Sequence, residues 1–331
     1  MRTFSKTLGC AVLALAAMAS RASSQDLTGA GSTFVNPIMT KWIYDYRQAT
    51  GISINYQAVG SGAGISNLID GTIDFAGSDA PMTAEQKGRA KGDVIHLPDV
   101  IGPVAISYNI PGIGTGLGFS GPILADIFLG KIKYWDDPQI VARNPGKNLP
   151  HEQIFVVHRS DGSGTTAIFT DYLSKVSPEW KSKVGSATTV SWPTGLGGKG
   201  SAGVAAILQQ HPFSIGYVEF AYVEENKIPY AAMDDGTGNY VYPSAESAMQ
   251  AAQSSTIAED LCTMITAAPK GYPISGMSWL IVYKKSLKAP ELRKFLKYVL
   301  TTGQKDTKAL WYASIPPEIV SRELKLIDSI E

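Results

Sequence analysis

The stretch FVVHRSDGSGTTAIFTDYLSKV, residues 155–176, decides the predicted fold. Apolar residues from Ile154 to Val157 predict a short strand, and a turn rich in glycine, serine and threonine follows at 161–166. Apolar residues then recur at helical spacing as far as Val176, which predicts an amphipathic helix. A strand, a glycine loop and a helix in this order leave unpaired backbone N–H groups at the positive end of the helix dipole. The stretch therefore predicts an anion-binding site.

The side chains around this loop suit a tetrahedral oxyanion. Arg159 precedes the loop and carries five donors in a fixed geometry, and Asp161 could orient its guanidinium group. Ser163 and Thr165 add hydroxyl donors. An alternative interpretation leaves Ser163 as a helix N-cap only and pairs Arg159 with Asp161 on the surface. Two similar units elsewhere in the chain weigh against that alternative.

These two units lie near the start of the chain. The first is DLTGAGSTF at 26–34, which precedes a helix predicted to end at Gly51. The second joins an alternating strand at 52–59 to the loop GSGAG at 60–64, where Ser61 is placed like Ser163. In both units the loop ends at a predicted helix start, so that backbone N–H groups and hydroxyls again point out of a loop. The residues that offer these donors are Thr33, Phe34 and Ser61.

A carboxylate residue also lies at the edge of the predicted sheet where a ligand is expected to bind. The segment IDFAGSDAPMT, 73–83, begins as a strand and places Asp79 at its carboxyl end, where α/β sheets bind ligands. A helix cap or an Asx turn is the alternative interpretation of this motif. A carboxylate can accept a hydrogen bond from phosphate, which still carries a proton near pH 7; its second pKa is about 6 to 7 by analogy with phosphomonoesters. Sulfate has no proton to give, so two acceptors would face each other without a hydrogen bond. Asp79 thus predicts a site that rejects sulfate.

The order of elements predicts an α/β fold with two lobes. Strands alternate with helices along the chain, and 331 residues are enough for two cores. The apolar strand Val100–Asn109 is expected to cross into the second lobe, which contains an apolar strand at Ile215–Val223. The strand Trp279–Tyr283 is expected to return the chain to the first lobe. The predicted bounds are residues 25–104 plus 265–331 for lobe I and residues 105–264 for lobe II.

The first residues have the features of a secretory signal. Arg2 and Lys6 precede an apolar run from Ala11 to Ala19, and small residues follow at a cleavage position before residue 25. We interpret residues 1–24 as a cleaved signal peptide, because the run is far shorter than the roughly 20 apolar residues of a membrane anchor. The mature protein is then expected to be soluble and periplasmic.

Composition limits the class of partner. The chain has 29 basic and 29 acidic residues, and loss of residues 1–24 would remove three basic residues and no acid, leaving 26 against 29. This slightly acidic balance argues against nucleic acid as a partner. Only Cys262 would remain after loss of the signal, which excludes an intramolecular disulfide in the mature chain. An anion would have to be held by local donors, since the overall charge does not attract it.

Taken together, the motifs resemble those of the periplasmic phosphate-binding proteins of high-affinity phosphate ABC importers, the PstS family. The matching motifs, in chain order, are TGAGSTF (28–34), GSGAG (60–64), DFAGSDAP (74–81), LGKIKYWDDP (129–138), RSDGSGTT (159–166), WPTGLGGKG (192–200) and IGYVEFAY (215–222). The resemblance implies a type II periplasmic-binding fold, with dehydrated phosphate held by hydrogen bonds in the cleft between two lobes. It further implies a monomer without catalytic activity, metal or cofactor, which delivers phosphate to an inner-membrane ABC permease.

Carried over by motif, the resemblance also implies a set of site residues. Asp161 would orient Arg159, and His158 stands where family members often have a second basic residue. The loop GLGGKG at 195–200 is given no ligand, and it lacks the glycine and Ser/Thr positions of a Walker loop. The implied phosphate ligands are Thr33, Phe34 through its backbone N–H, Ser61, Asp79, Arg159, Ser163, Gly164 and Thr165.

Three other functions are compatible with parts of the sequence. A secreted phosphatase could use Ser163 as nucleophile, but it would need a base or metals, and the four histidines are scattered without metal-ligand spacing. A binding protein for another oxyanion, such as sulfate or molybdate, would share the fold, although Asp79 argues against a fully ionised ligand. A surface or adhesive role with incidental phosphate binding is the third.

Overall fold

The computed structural model describes residues 26–331, so the predicted signal peptide lies outside the described residues. Eleven strands lie within that range and form an eight-stranded and a three-stranded sheet. The strands are β1 Leu27–Gly31, β2 Ile54–Ala58, β3 Phe75–Ser78, β4 Val94–Asn109, β5 Gly118–Phe119, β6 Phe155–Arg159, β7 Leu196–Gly198, β8 Ser214–Glu219, β9 Ala232–Asp234, β10 Tyr240–Val241 and β11 Ser275–Tyr283.

Helices follow most of these strands and cover the sheet faces. Two short 3-10 helices, Thr302–Asp306 and Lys308–Leu310, come near the end of the chain. The α-helices are α1 Asn36–Thr50, α2 Ser61–Asp70, α3 Ala84–Arg89, α4 Gly121–Phe128, α5 Pro138–Arg143, α6 Gly164–Val176, α7 Pro178–Lys183, α8 Gly200–Gln210, α9 Phe220–Asn226, α10 Ala245–Gln253, α11 Ala289–Leu300 and α12 Pro317–Asp328.

Strand β4 links the two halves of the large sheet, whose order is β2-β1-β3-β11-β4-β8-β6-β7. Its first part, from Val94 to Pro103, pairs antiparallel with β11, and its last part, from Val104 to Asn109, pairs antiparallel with β8. Strands β1, β2 and β3 are parallel in one half, and β6, β7 and β8 are parallel in the other. The predicted two-lobed α/β fold of the type II binding proteins is confirmed.

The amphipathic helices bury their apolar faces as their spacing predicts. In α1 the buried side chains include Ile38, Met39 and Trp42, and Gly51 ends the helix with a left-handed backbone. Because glycine has no Cβ, it adopts this conformation without steric cost. The indole N–H of Trp42 donates to the carbonyl of Gly303 at 2.8 Å, which ties α1 to the C-terminal segment.

The predicted strand Ile215–Val223 is only partly correct. Strand β8 ends at Glu219, and the following residues FAYVEEN form helix α9. The side chain of Glu219 accepts a hydrogen bond from the backbone N–H of Ala221 at 2.8 Å and so caps the helix. A short apolar run that is buried on all sides has no period that separates strand from helix, which explains the error.

Within residues 26–331, no helix is both long enough and apolar enough to cross a membrane.

A candidate anion-binding site in the cleft

Parallel pairing of β1 with β3 brings two of the predicted site segments together. Gly31 lies opposite Gly77 in the register, so the residues that follow the two strands leave the same edge of the sheet. The backbone N–H of Ser32 donates to the carbonyl of Gly77 at 2.8 Å. A Cβ at Gly31 would lie 2.0 Å from that carbonyl oxygen, so only glycine permits this approach. Asp79 is thereby placed beside the loop that opens α1.

Asp79 is buried and held by three serines. The hydroxyl of Ser32 donates to its Oδ1 atom, and the hydroxyl of Ser278 donates to the same atom at 3.0 Å. The backbone N–H of Asp79 donates to Oγ of Ser61 at 3.2 Å. Burial raises the pKa of Asp79 to about 6, although the two hydroxyl donors and the positive charge of Arg159 oppose that rise. The carboxyl group can therefore change its protonation near neutral pH.

Ser61 connects the two sides of the cleft. Its Oγ atom also accepts a hydrogen bond from the backbone N–H of Gly164 at 3.0 Å, and the N–H of Gly62 donates to the carbonyl of Gly162 at 2.9 Å. Gly60, rather than Ser61, is the N-cap residue of α2, so Ser61 and Ser163 differ in position within their helices. The hydroxyl of Ser61 is consequently free to bond across the cleft instead of capping its own helix.

On the opposite side, the buried Arg159 and the partly buried Asp161 form a bidentate pair. Nε of Arg159 donates to Oδ1 of Asp161 at 2.8 Å, and its Nη2 donates to Oδ2 at 2.5 Å. Nη1 of the same guanidinium lies 3.5 Å from the hydroxyl oxygen of Thr165. Burial would raise the pKa of Asp161, but its hydrogen bonds and attraction to Arg159 hold the pKa below the ordinary value. The pair fixes the guanidinium in one orientation beside the start of α6.

Ser163 begins helix α6 as its N-cap. Its Oγ atom accepts from the backbone N–H of Thr166 at 3.1 Å, which is the capping role that the alternative interpretation gave it. The hydroxyl hydrogen remains available as a donor. Ser163, Gly164 and Thr165 are all buried and lie at the positive end of the helix dipole.

Gly164 allows the two sides of the cleft to meet. A Cβ placed on Gly164 would lie 2.6 Å from Cβ and from the backbone nitrogen of Asp79, and 2.6 Å from Oγ of Ser61. Real Cβ atoms do not approach other atoms this closely, so any larger residue would have to push the sides apart. The glycine is thus required by the space in the site.

Thr33 and Phe34 occupy the first loop but bond mainly to protein groups. The hydroxyl oxygen of Thr33 accepts from the backbone N–H of Ser201 at 3.2 Å, and its carbonyl accepts from the Tyr222 hydroxyl at 2.8 Å. The backbone N–H of Phe34 donates to Oγ of Ser32 at 3.0 Å. The donor predicted for a ligand at Phe34 is therefore satisfied by a neighbouring serine in this structure.

His158 faces away from the hydrogen-bonding groups just described. Its ring stacks on Trp192 with 4.7 Å between ring centroids, and its Nδ1 atom lies 3.0 Å from the carbonyl oxygen of Arg159. Burial lowers the pKa of His158, which favours the neutral imidazole. The ring supports the backbone of Arg159 from the side and adds no positive charge to the cleft near pH 7.

The predicted site residues lie together in the cleft, but the residues that support them were not predicted. Ser32 and Ser278, which bond to Asp79, were not singled out, and neither was Ser201, which contacts Thr33. Ser32 lay within a quoted motif, so its place at the end of β1 could have been noticed. Ser278 is 199 residues from Asp79, and only the pairing of β11 with β3 brings it close.

The arrangement combines fixed donors with one acceptor. Arg159 and the backbone N–H groups at the start of α6 donate, and the hydroxyl groups, which accept from the protein, can each still donate their hydrogen. An ionised Asp79 only accepts. An ion that fits such a site carries negative charge and at least one proton. Inorganic phosphate meets this description near neutral pH, and sulfate does not.

Comparison with known proteins places the chain in a family. Residues 16–302 match the model of the PBP superfamily domain. The chain is 43% identical over 312 residues to the phosphate-binding protein PstS of Xylella fastidiosa, covering 92% of this chain and 85% of that protein. It is also 43% identical over 308 residues to PstS of Pasteurella multocida, covering 90% and 89% of the two chains. This chain belongs to the PstS family. A solved high-affinity periplasmic phosphate-binding protein, bound with phosphate, has the same fold as this PstS family member, with a TM-score of 0.71, 20% identity and coverage of 90% and 92%.

Proposed function

We propose that this protein binds inorganic phosphate between its two lobes and is the substrate-binding component of a high-affinity phosphate ABC importer. The observation that carries the proposal is the placement of a fixed guanidinium and a helix start opposite a buried carboxyl group. The donors neutralise an oxyanion, and the carboxylate requires that the oxyanion retain a proton. Relatives that are 43% identical over most of the chain are phosphate-binding proteins named PstS, which supports the same ligand.

We propose the ligand set that the motifs predicted. Arg159 supplies charge-assisted hydrogen bonds, and the start of α6 supplies backbone N–H groups. Asp79 accepts from the protonated phosphate oxygen, and Asp161 orients Arg159 without touching the ligand. The proposed direct ligands are Thr33, Phe34, Ser61, Asp79, Arg159, Ser163, Gly164 and Thr165. The backbone N–H of Phe34 would be shared between the ligand and Oγ of Ser32, to which it donates in this structure.

Phosphate would bind in the cleft, and the two lobes would close around it. We propose the predicted bounds for these lobes. Lobe I comprises residues 25–104 plus 265–331, and lobe II comprises residues 105–264. Ala248, Ala252 and Leu261 pack in one apolar cluster with Ile65 and Leu68 of the first lobe. This packing indicates that the chain re-enters lobe I before residue 265.

The cellular context is proposed from the same family membership. After cleavage of residues 1–24 the protein would act in the periplasm as a monomer and deliver phosphate to an inner-membrane ABC permease. We propose no catalytic role and no nucleic-acid partner. Ser163 has the cap bond to Thr166 described above, and the His158 ring stacks on Trp192, which supports a binding role for this segment over a nucleophile and base.

Calorimetry tests the proposal. The purified protein is stripped of ligand by partial unfolding, refolded and titrated with phosphate and then with sulfate at equal concentration. We expect one phosphate site with micromolar or tighter affinity, about 8 kcal/mol or more, and no heat with sulfate. Equal binding of sulfate, or binding of neither ion, would contradict the assignment. A parallel phosphatase assay, with and without EDTA, should give no turnover.

A further inference from the structure

The hydrogen bonds to Asp79 are distributed unevenly between its two carboxyl oxygens. Oδ1 accepts from both Ser32 and Ser278, whose side chains are fully buried. Among residues 26–331, no donor within 3.5 Å bonds to Oδ2, although a weaker interaction with the Thr165 hydroxyl also helps to lower the pKa of Asp79. One oxygen of the carboxyl group is therefore fixed by the protein and the other remains for another partner.

We propose that Ser32 and Ser278 are positioning residues that keep Asp79 ionised as an acceptor, and thereby set the lower limit of the pH range in which the site selects phosphate over sulfate. The inference rests on the proposed phosphate function. The two serines hold Oδ1, which leaves Oδ2 to accept the proton of the ligand.

The bond from Ser32 is directional because its hydroxyl has only one hydrogen. Its oxygen accepts from the backbone N–H of Phe34 at 3.0 Å, so the hydrogen is committed to Asp79. The hydroxyl of Ser278 lies 3.0 Å from Asp79 Oδ1 and 3.5 Å from the carbonyl oxygen of Ser78, and the shorter contact is the one to Asp79. Ser278 also interacts with the Asp99 carboxyl group, but its only carboxylate contact within 3.5 Å is the one to Asp79. Donors to an ionised carboxylate favour that form over the protonated acid.

Four other titratable groups interact with Asp79, and none substitutes for the serines. Arg159 attracts the ionised form, while Asp99 opposes it. Burial raises the pKa of Asp99 well above its ordinary value, which favours its neutral form and so weakens that opposition. Tyr56 and Tyr312 are also neutral, and their hydroxyls donate to the backbone carbonyls of Ser32 and Phe34 instead of Asp79.

Loss of either serine hydroxyl should therefore raise the pH at which Asp79 becomes protonated. A protonated Asp79 is a donor, so it would lose the ligand proton as a partner and could donate to sulfate instead. Phosphate binding should weaken, and sulfate binding should begin, as the pH falls through this value. In each variant both changes should occur at higher pH than in the wild type.

The test is a calorimetric pH series from about pH 4.5 to 8.5 with phosphate and sulfate as the two probes. We expect Ser32→Ala and Ser278→Ala each to move the acid limb of phosphate binding up by about one pH unit, and to tighten sulfate binding about fivefold near pH 7, because the protonated fraction of Asp79 rises by that factor. Ser107→Ala is the matched control, because Ser107 is fully buried and its hydroxyl has no partner among the described residues.

The same substitutions in an Asp79→Asn protein distinguish an effect on Asp79 ionisation from general damage to the site. In Asp79→Asn protein, which has no carboxyl group to titrate, adding Ser32→Ala should leave the pH profile unchanged. The inference is overturned if folded Ser32→Ala and Ser278→Ala proteins keep the wild-type acid limb, or if the shift persists in the Asn background. Failure of the wild type to bind phosphate at any pH would instead overturn the proposed function.

Discussion

The two sides of the cleft hold their charged groups in different ways. On the first wall, formed by Thr33, Ser61 and Asp79, the carboxyl group is supported by neutral hydroxyls. On the second wall, formed by Arg159 and the start of α6, the guanidinium is paired with a carboxylate through two hydrogen bonds. Each arrangement orients its group, but only the second supplies a counter-charge.

This difference separates affinity from selectivity. A guanidinium stays charged at every accessible pH, so the second wall offers the same donors to phosphate and to sulfate. The buried carboxyl group has a pKa of about 6 and can be either an acceptor or a donor, so the first wall responds to the proton on the ligand. Changes on the second wall should weaken all oxyanions, and changes on the first should alter the choice between them.

The largest effect is expected from Arg159→Ala. The change removes a fixed charged donor and leaves the partly buried Asp161 without its counter-charge, so phosphate binding should weaken by about 2–4 kcal/mol. Calorimetry at pH 7 measures this loss, and Arg159→Lys serves as the control that keeps charge without the bidentate geometry. An unchanged dissociation constant would place Arg159 outside the site.

Gly164→Ala should have the next largest effect, because it forces the walls apart. The added methyl group would lie 2.6 Å from Asp79 and Ser61 atoms, and overpacking of this kind typically costs about 1–3 kcal/mol. We expect phosphate binding, measured by calorimetry at pH 7, to weaken because the added methyl group opposes the approach of the two walls. Gly114→Ala is the matched control, since nothing lies within 4 Å of a Cβ there. Equal affinities of the two variants would show that the walls need not meet.

Asp79→Asn tests the selectivity of the first wall. The amide keeps the shape of the side chain and can donate to a fully ionised oxygen, which removes the penalty of about 1–3 kcal/mol for facing acceptors. Phosphate binding should persist with lower affinity, while sulfate binding becomes measurable by competition. Continued exclusion of sulfate would show that a group other than Asp79 distinguishes protonated phosphate from sulfate.

A smaller effect is expected from Tyr222→Phe at the edge of the cleft. The change removes the hydroxyl that donates to the carbonyl of Thr33 across the lobes, a bond worth about 0.5–1.5 kcal/mol. Release of phosphate, followed by stopped-flow fluorescence, should become faster while the association rate stays nearly constant. Tyr44→Phe is the control, because Tyr44 is an exposed residue of α1. The same release rate in both variants would remove Tyr222 from the closing contacts.

Much of the cleft could be predicted because its groups follow recognisable strands and glycine loops. Asp79 follows β3 and Arg159 ends β6, so local pattern alone placed them at sheet edges. The seven ordered motifs then indicated the family. Helix α9 was missed because its apolar residues are buried without a helical stripe, and its cap is a glutamate whose role depends on the local turn.

The supports of the site could not be predicted for a different reason. Ser278 reaches Asp79 only because β11 pairs with β3, with Trp279 opposite Ser78, and no local pattern encodes that register. Ser201 reaches Thr33 across 168 residues in the same way. Such contacts depend on how distant elements pack, whereas the ligand loops are defined by their own neighbours.

The most direct measurement is the crystal structure of the phosphate complex at neutral pH. The account predicts one phosphate between the walls, with oxygen atoms about 2.7–3.2 Å from the Arg159 guanidinium and from the N–H groups of α6. One further oxygen should lie about 2.5–3.0 Å from Oδ2 of Asp79, with Oδ1 still bound to Ser32 and Ser278. A phosphate that contacts only the second wall, or that binds outside the cleft, would contradict the division of roles between the two walls.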